Sequence, residues 1–341
     1  MKFIAYTTKG LEFISEKEIK TRLPEAKILE VADKRIVFES GADFNQLTSL
    51  KTVDDLGILV STIENVTDLN IFLLETGRID FKAVRNTLSR YREIPDDNFS
   101  ITTSLVGIKN FIASDLVTLI AELVQQKYQW NFTEFDHTNF DIRFFVDHTN
   151  GYISIRITKE SLQHRMYKTS SKEGSLKPTI AAAMVYLVTE GKTGLRLVDN
   201  FCGSGTILAE GLEAGLEVYG GDIDPESVLM TQENISNLGD VIAGRIKSLT
   251  ALSTHWPDKY FDYGVSNLPW GKQVEIKSIT TLYEGSLKEY SRILKVDGSL
   301  CALISQPDLF IKHAKKYFPE KKIEQFKIGL LGQTPTIVLL K

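Results

Sequence analysis

The stretch DNFCGSGTILAEG, Asp199–Gly211, follows the apolar run LRLV and joins an acid, a Gly-Ser-Gly turn and a helix-forming segment without interruption. Three ligands compete for such a turn. A P-loop requires a lysine after the second glycine of a longer loop, and here Gly205 is followed by Thr206 and Ile207. A dinucleotide fingerprint requires a third glycine three residues on, and that position is Leu208. What remains is a strand ending in Asp199, a two-glycine turn at Gly203 and Gly205, and a helix starting near Thr206.

Asp222, nineteen residues after Gly203, ends the next strand-like segment, LEVYGGD. An acid there is placed to accept both hydroxyls of a ribose. The glycines let backbone N–H groups approach a ligand carrying a carboxylate, and the helix N-terminus near Thr206 favours that charge. A nucleoside joined to an amino-acid carboxylate describes S-adenosylmethionine. The bland alternative is a tight turn in an unrelated α/β domain, against which Asp222 and a second motif weigh.

That motif is NLPWG, Asn267–Gly271, after the strand-like YFDYGVS. The Asn267 side chain offers a neutral carbonyl, and Pro269 holds Leu268 extended, so that the Leu268 carbonyl can sit beside it. Two adjacent oxygens can accept both hydrogens of an exocyclic NH2 and aim its lone pair at a methyl group. Trp270 offers a face on which a base, once out of its stack, can lie, worth about 1–3 kcal/mol. The plain alternative is a core tryptophan beside an ordinary loop.

From about residue 175 strands and helices alternate, which predicts a doubly wound, mostly parallel sheet. Pro178 opens one helix, and Asp224-Pro225 cap and open another. The last two strands, KIEQFKIG and TPTIVLL, are separated by a short turn and must be antiparallel, giving one reversed strand, expected at the edge. The first ~160 residues mix strands and helices in an α+β order, with a hairpin at Asp33-Lys34.

The chain has 341 residues, a net charge of −4 and two cysteines, Cys202 and Cys301. Two distant cysteines suit neither a disulfide framework nor a zinc site, so no metal is expected. No apolar run is long enough to span a membrane, and no secretory signal opens the sequence, which points to the cytoplasm. The acidic total is unlike a nucleic-acid binder, yet Tyr152–Ile180 holds six bases (Arg156, Lys159, Arg165, Lys168, Lys172, Lys177) against two acids, a net of +4.

These residues resemble class I S-adenosylmethionine methyltransferases acting on amino nitrogens, whose Asn/Asp-Pro-Pro-aromatic motif Asn267-Leu268-Pro269-Trp270 matches with Leu268 in place of the first proline. More closely, the chain resembles the THUMP-containing RNA guanine-N2 methyltransferases. DNFCGSGTI is similar to their Asp-Pro-Phe-Cys-Gly-Ser-Gly-Thr loop, with Asn200 where proline is usual. The triplet Gly10–Glu12 matches, as does LKPTIAAAM (Leu176–Met184), and SLQHRMYK (Ser161–Lys168) resembles the linker motif through His164, Arg165 and Tyr167.

The resemblance implies a ferredoxin-like unit over 1–60, a THUMP RNA-binding domain over 61–160, a basic linker over 161–177 and a Rossmann-like class I methyltransferase over 178–341. It implies a donor site of Asp199, Cys202, Gly203, Gly205, Thr206, Asp222, Ile223 and Asn267, and catalysis by Asn267, Leu268, Pro269 and Trp270. RNA contacts are expected from His164, Arg165, Tyr167, Lys168 and Lys272. Cys202 lacks a visible base partner and is read as a packing residue of the loop rather than a nucleophile. The implied activity is guanine-N2 methylation of a flipped-out base in tRNA. Large-subunit rRNA, or adenine-N6 chemistry on RNA or DNA, are the enzymatic alternatives, and a non-catalytic RNA-binding protein the alternative of another class.

Overall fold

Side-chain alternation builds the first sheet. In β1 (Lys2–Thr7) Phe3 and Ala5 enter the main core, while Ile4 and Tyr6 join Val37, Phe145 and Tyr152 on the opposite face. The N-terminal part continues with α1 (Glu12–Arg22), β2 (Lys27–Ala32), β3 (Arg35–Glu39), α2 (Phe44–Thr48), β4 (Val53–Ile63), α3 (Leu69–Arg78), α4 (Phe81–Leu88), β5 (Asn98–Leu105), α5 (Ala113–Tyr128), β6 (Asn131–Phe132), β7 (Phe140–Val146) and β8 (Gly151–Arg156). Its strands form one eight-stranded sheet, β2-β3-β1-β4-β8-β7-β5-β6. Lys34, at φ +65°, turns the expected hairpin between β2 and β3. β4, which runs across position 60, pairs with both β1 and β8.

This is a computed structural model, and it describes every residue except 67, 108–109, 135–138, 173, 240–243, 271–277 and 331. The chain divides into two units, Met1–Thr7 with Glu16–Leu162, and Thr8–Ser15 with Gln163–Lys341.

The second unit contains α6 (Pro178–Thr189), β9 (Arg196–Asp199), α7 (Thr206–Glu213), β10 (Glu217–Asp222), α8 (Pro225–Ser236), β11 (Ile246–Ser248), β12 (Phe261–Asn267), α9 (Ile279–Ile293), β13 (Leu294–Ile304), α10 (Pro307–Tyr317), β14 (Ile323–Lys327) and β15 (Thr336–Leu340). Start signals explain several boundaries. Pro178 sits in the first turn of α6, Asp224 caps α8 by accepting from Glu226 N, and Ser278 caps α9 through Thr281 N. Nearly every residue of α6 is buried, consistent with a helix that is apolar on all sides.

The seven-stranded sheet runs β11-β10-β9-β12-β13-β15-β14. Counted from β9, its order is 3-2-1-4-5-7-6. This is a Rossmann-like class I methyltransferase sheet, parallel except for β15, which is antiparallel to both neighbours. The reversed strand is not at the edge, as the sequence suggested. The crossover through α10 carries β14 two places beyond β13, and β15 turns back into the gap. The order reverses between β9 and β12, so the loops after these two strands flank the crevice where doubly wound sheets bind ligands.

Candidate active site

Asp199, at the end of β9, is almost wholly buried. Its Oδ1 accepts from Ser266 Oγ at 2.5 Å and from Phe201 N at 3.0 Å. Burial pushes the carboxyl up to about 7, opposed by the Ser266 hydroxyl and the Phe201 N–H. Ser266 Oγ is in turn 2.5 Å from the Tyr290 hydroxyl, which accepts from Asn200 N at 3.1 Å. The protons therefore run one way, from Tyr290 to Ser266 to Asp199. This chain ties the end of β12 to the start of the glycine turn.

The turn itself is shaped by two glycines at positive φ, +54° at Gly203 and +80° at Gly205. They do different jobs. A Cβ on Gly205 would meet Thr231 Cγ2 at 2.8 Å, so that glycine lets α8 pack closely. A Cβ on Gly203 would approach only Lys172 Cε among the described atoms, at 3.9 Å, so that backbone faces open space. Gly203 N donates to Asp222 Oδ2 at 2.9 Å, and Asp224 N to Oδ1 at 3.0 Å. Asp222 is thereby fixed at the end of β10, half-buried beside Ile223, which is 76% exposed. Cys202 is buried, with burial pushing its thiol up and Thr231 Oγ1 3.5 Å from its sulfur, an environment for packing and not for a thiolate.

Across the switch point, Asn267 ends β12 beside Leu303 of β13. Its Oδ1 is buried and accepts no hydrogen bond from the described residues. Leu268 N donates to Leu303 O at 3.1 Å, and its side chain is sunk in the core with Val198, Tyr283 and Tyr290. Pro269 and Trp270 are half-buried. Trp270 packs on the core containing Leu176 and Ile180, and its Nε1 is buried without a partner among the described residues. Thr206 Oγ1 and Asn200 Nδ2 are also unpartnered. Buried polar atoms without partners are rare in finished interiors, and among the described residues four lie at or just beyond the ends of β9 and β12.

The linker residues divide. Arg165 does not face solvent: its guanidinium pairs with Glu210 at 2.8 Å, with both side chains under a tenth exposed. The buried Tyr167 hydroxyl donates to the same Glu210 oxygen at 2.7 Å. Sequence reasoning placed these two on an RNA face; the buried α7 carboxylate, which needs a cation and a donor, draws them inward instead. Lys168 Nζ donates to the Leu176 carbonyl at 2.9 Å, and burial lowers its pKa. His164 is exposed. Lys272 lies outside the described residues.

Two partners had no local signal in the sequence. Asn200 replaces the usual proline, and its Oδ1 accepts from Trp256 Nε1 at 3.1 Å. Tyr290, from α9, completes the chain to Asp199.

Over 203 residues the chain is 28% identical to the U6 snRNA (guanine-N(2))-methyltransferase THUMPD2 of Homo sapiens, covering 58% of this chain and 38% of that protein. Over 225 residues it is 29% identical to the tRNA (guanine(6)-N2)-methyltransferase of Methanocaldococcus jannaschii, covering 62% and 55%. The chain thus spans only about two fifths to a little over half of the length of these curated relatives. The crystal structure of TrmN from Thermus thermophilus matches 100% of this chain and 99% of its own, with a TM-score of 0.81 at 20% identity, a likeness of fold. Residues 165–334 match the family described as UPF0020: RMKL-like, methyltransferase domain.

Proposed function

We propose that the protein is an S-adenosylmethionine-dependent RNA methyltransferase that acts on the N2 amine of a flipped-out guanine, in tRNA. The residues present fit the donor. Asp222 keeps lone pairs for ribose hydroxyls, Ile223 offers an apolar surface to a purine, and the open side of Gly203 admits the amino-acid moiety. Bound there, the donor supplies an electrophilic methyl on a sulfonium. Asp199 adds a carboxylate behind it, and Thr206 opens a helix whose N-terminus favours a carboxylate ligand.

The observation that carries the reading is Asn267 Oδ1, a buried acceptor with no hydrogen bond from the described residues. With the Leu268 carbonyl it would hold the two hydrogens of the guanine amine, and Trp270 would stack on the base. So held, the amine would present its lone pair to the methyl carbon of the donor, whose sulfur would keep the electrons of the broken bond. The amine's proton would pass to water afterwards, so positioning does most of the work.

In this reading residues 1–60 form a ferredoxin-like unit, 61–160 a THUMP unit that holds the RNA, and 161–177 the linker, with His164 and Lys168 at the RNA. Support for RNA comes from the relatives' named substrates, tRNA and U6 snRNA. The test is incubation with labelled methyl donor and total tRNA or rRNA, followed by digestion to nucleosides. N2-methylguanosine from tRNA is the expected product; methyladenosine would overturn the substrate base, and label in rRNA alone would overturn the substrate RNA.

A further inference from the structure

A turn of the linker is built into the wall of the donor crevice. Lys172 N donates to Ser175 Oγ at 3.1 Å, Ser175 N donates back to the Lys172 carbonyl at 3.0 Å, and Ser175 Oγ lies 2.9 Å from Ser204 Oγ in the glycine turn. Asn234 Nδ2 joins the two segments by donating to the carbonyls of Ser170 at 2.7 Å and Ser204 at 2.8 Å. The Lys172 side chain leaves this turn and passes over Gly203, where its Cε is the described atom that a methyl on that glycine would meet. Its ammonium is 3.4 Å from Asp224 Oδ2 and hydrogen-bonded to Ser227 Oγ.

Charge gives this placement a purpose. The crevice presents the carboxylates of Asp222 and Asp224, which are held by Gly203 N and Lys172. These suit the sulfonium and ammonium of S-adenosylmethionine but repel its carboxylate. A cation on a long, flexible stem beside Gly203 removes that conflict. The Lys172–Asp224 pair is about 40% exposed on each side, so the link is weak enough to be exchanged for a ligand's carboxylate.

We propose that Lys172 is a specificity residue of the donor site, its ammonium turning from Asp224 to pair with the amino-acid carboxylate of the donor. The assignment rests on the methyltransferase reading above. Two probes differing only in that carboxylate test it by calorimetry: S-adenosylmethionine and decarboxylated S-adenosylmethionine. Lys172→Met should weaken binding of the first about tenfold, equal to the loss of one charge-assisted contact, and change the second less than about twofold. Lys172→Arg should restore most of the difference. Equal losses for both probes would make the linker turn merely structural, and no change for either would remove Lys172 from the site; each result overturns the proposal. Failure of the unsubstituted protein to bind either probe would overturn the methyltransferase reading itself, an outcome distinct from an unaffected variant.

Discussion

The Ser266 hydroxyl sits 2.5 Å from Asp199 Oδ1, and it joins the two strands between which the sheet order reverses. The acid that ends β9 and the asparagine that ends β12 are therefore neighbours through one side chain, since Asn267 follows Ser266 directly.

Asp199 is buried with its carboxyl pushed up to about 7, above the value near 3.8 from which it starts. Between these pH values the folded protein keeps a proton that the unfolded chain has released, so this group's stabilising contribution is complete below about pH 4 and is lost as pH rises through about 7. Asp199→Asn mimics the protonated form and removes the dependence. Thermal unfolding from pH 4 to 8 should show the unsubstituted protein losing stability relative to the variant as pH rises. Parallel curves would contradict the assignment.

Asn267 and Asp222 should separate catalysis from donor binding. Asn267→Ala should lower turnover by about 10²–10³, as expected for a lost transition-state contact, with donor affinity nearly unchanged. Asp222→Ala should weaken donor binding about tenfold or more, because hydrogen bonds to a charged group are worth about 1.5–3 kcal/mol. Calorimetry with the donor, beside single-turnover methylation, reads both. Turnover and donor affinity falling together in Asn267→Ala would refute the division.

The two glycines of the turn should also part company. Gly205→Ala meets Thr231 and a positive φ, so it should destabilise the fold by about 1–3 kcal/mol. Gly203→Ala has room for its methyl and should cost about 1–2 kcal/mol of backbone strain while obstructing the donor. Denaturant unfolding and donor titration on both variants would show whether Gly203→Ala is the more damaging to binding and Gly205→Ala the more damaging to stability.

Asn200 and Leu268 stand at positions where the resembled motifs carry proline, and in both the backbone N–H is in use, donated to the Tyr290 hydroxyl and to the Leu303 carbonyl. Asn200→Pro should therefore destabilise the protein by about 1–3 kcal/mol, by deleting a buried donor and the side chain that receives Trp256 Nε1. A melting temperature equal to the parent's would show that these bonds carry no weight.

Much of the second unit was legible because its signals are local: an acid and glycines at a strand end, a Pro after a capping Asp, an alternating rhythm. What escaped is set by distant partners. Glu210 lies 45 residues from Arg165 and pulls it inward, and Trp256 and Tyr290 lie 56 and 90 residues from Asn200. β4, VDDLGILVSTI, carries no period-two pattern because Asp55 lies on one face, paired with buried Arg156, while apolar residues crowd both sides of the strand. The place of β15 depends on how far α10 carries β14, which no stretch of sequence encodes by itself.

That placement bears on how the domain is assembled. β15 comes last in sequence among the strands of its sheet, yet it lies inside it, with all five residues buried. Until it is synthesised, β13 and β14 each keep an unpaired edge bordering an apolar gap, and such edges invite pairing with other chains. Closure of the catalytic sheet thus waits on its final strand, and truncation just before Thr336 should leave an aggregation-prone protein rather than a slightly shortened enzyme.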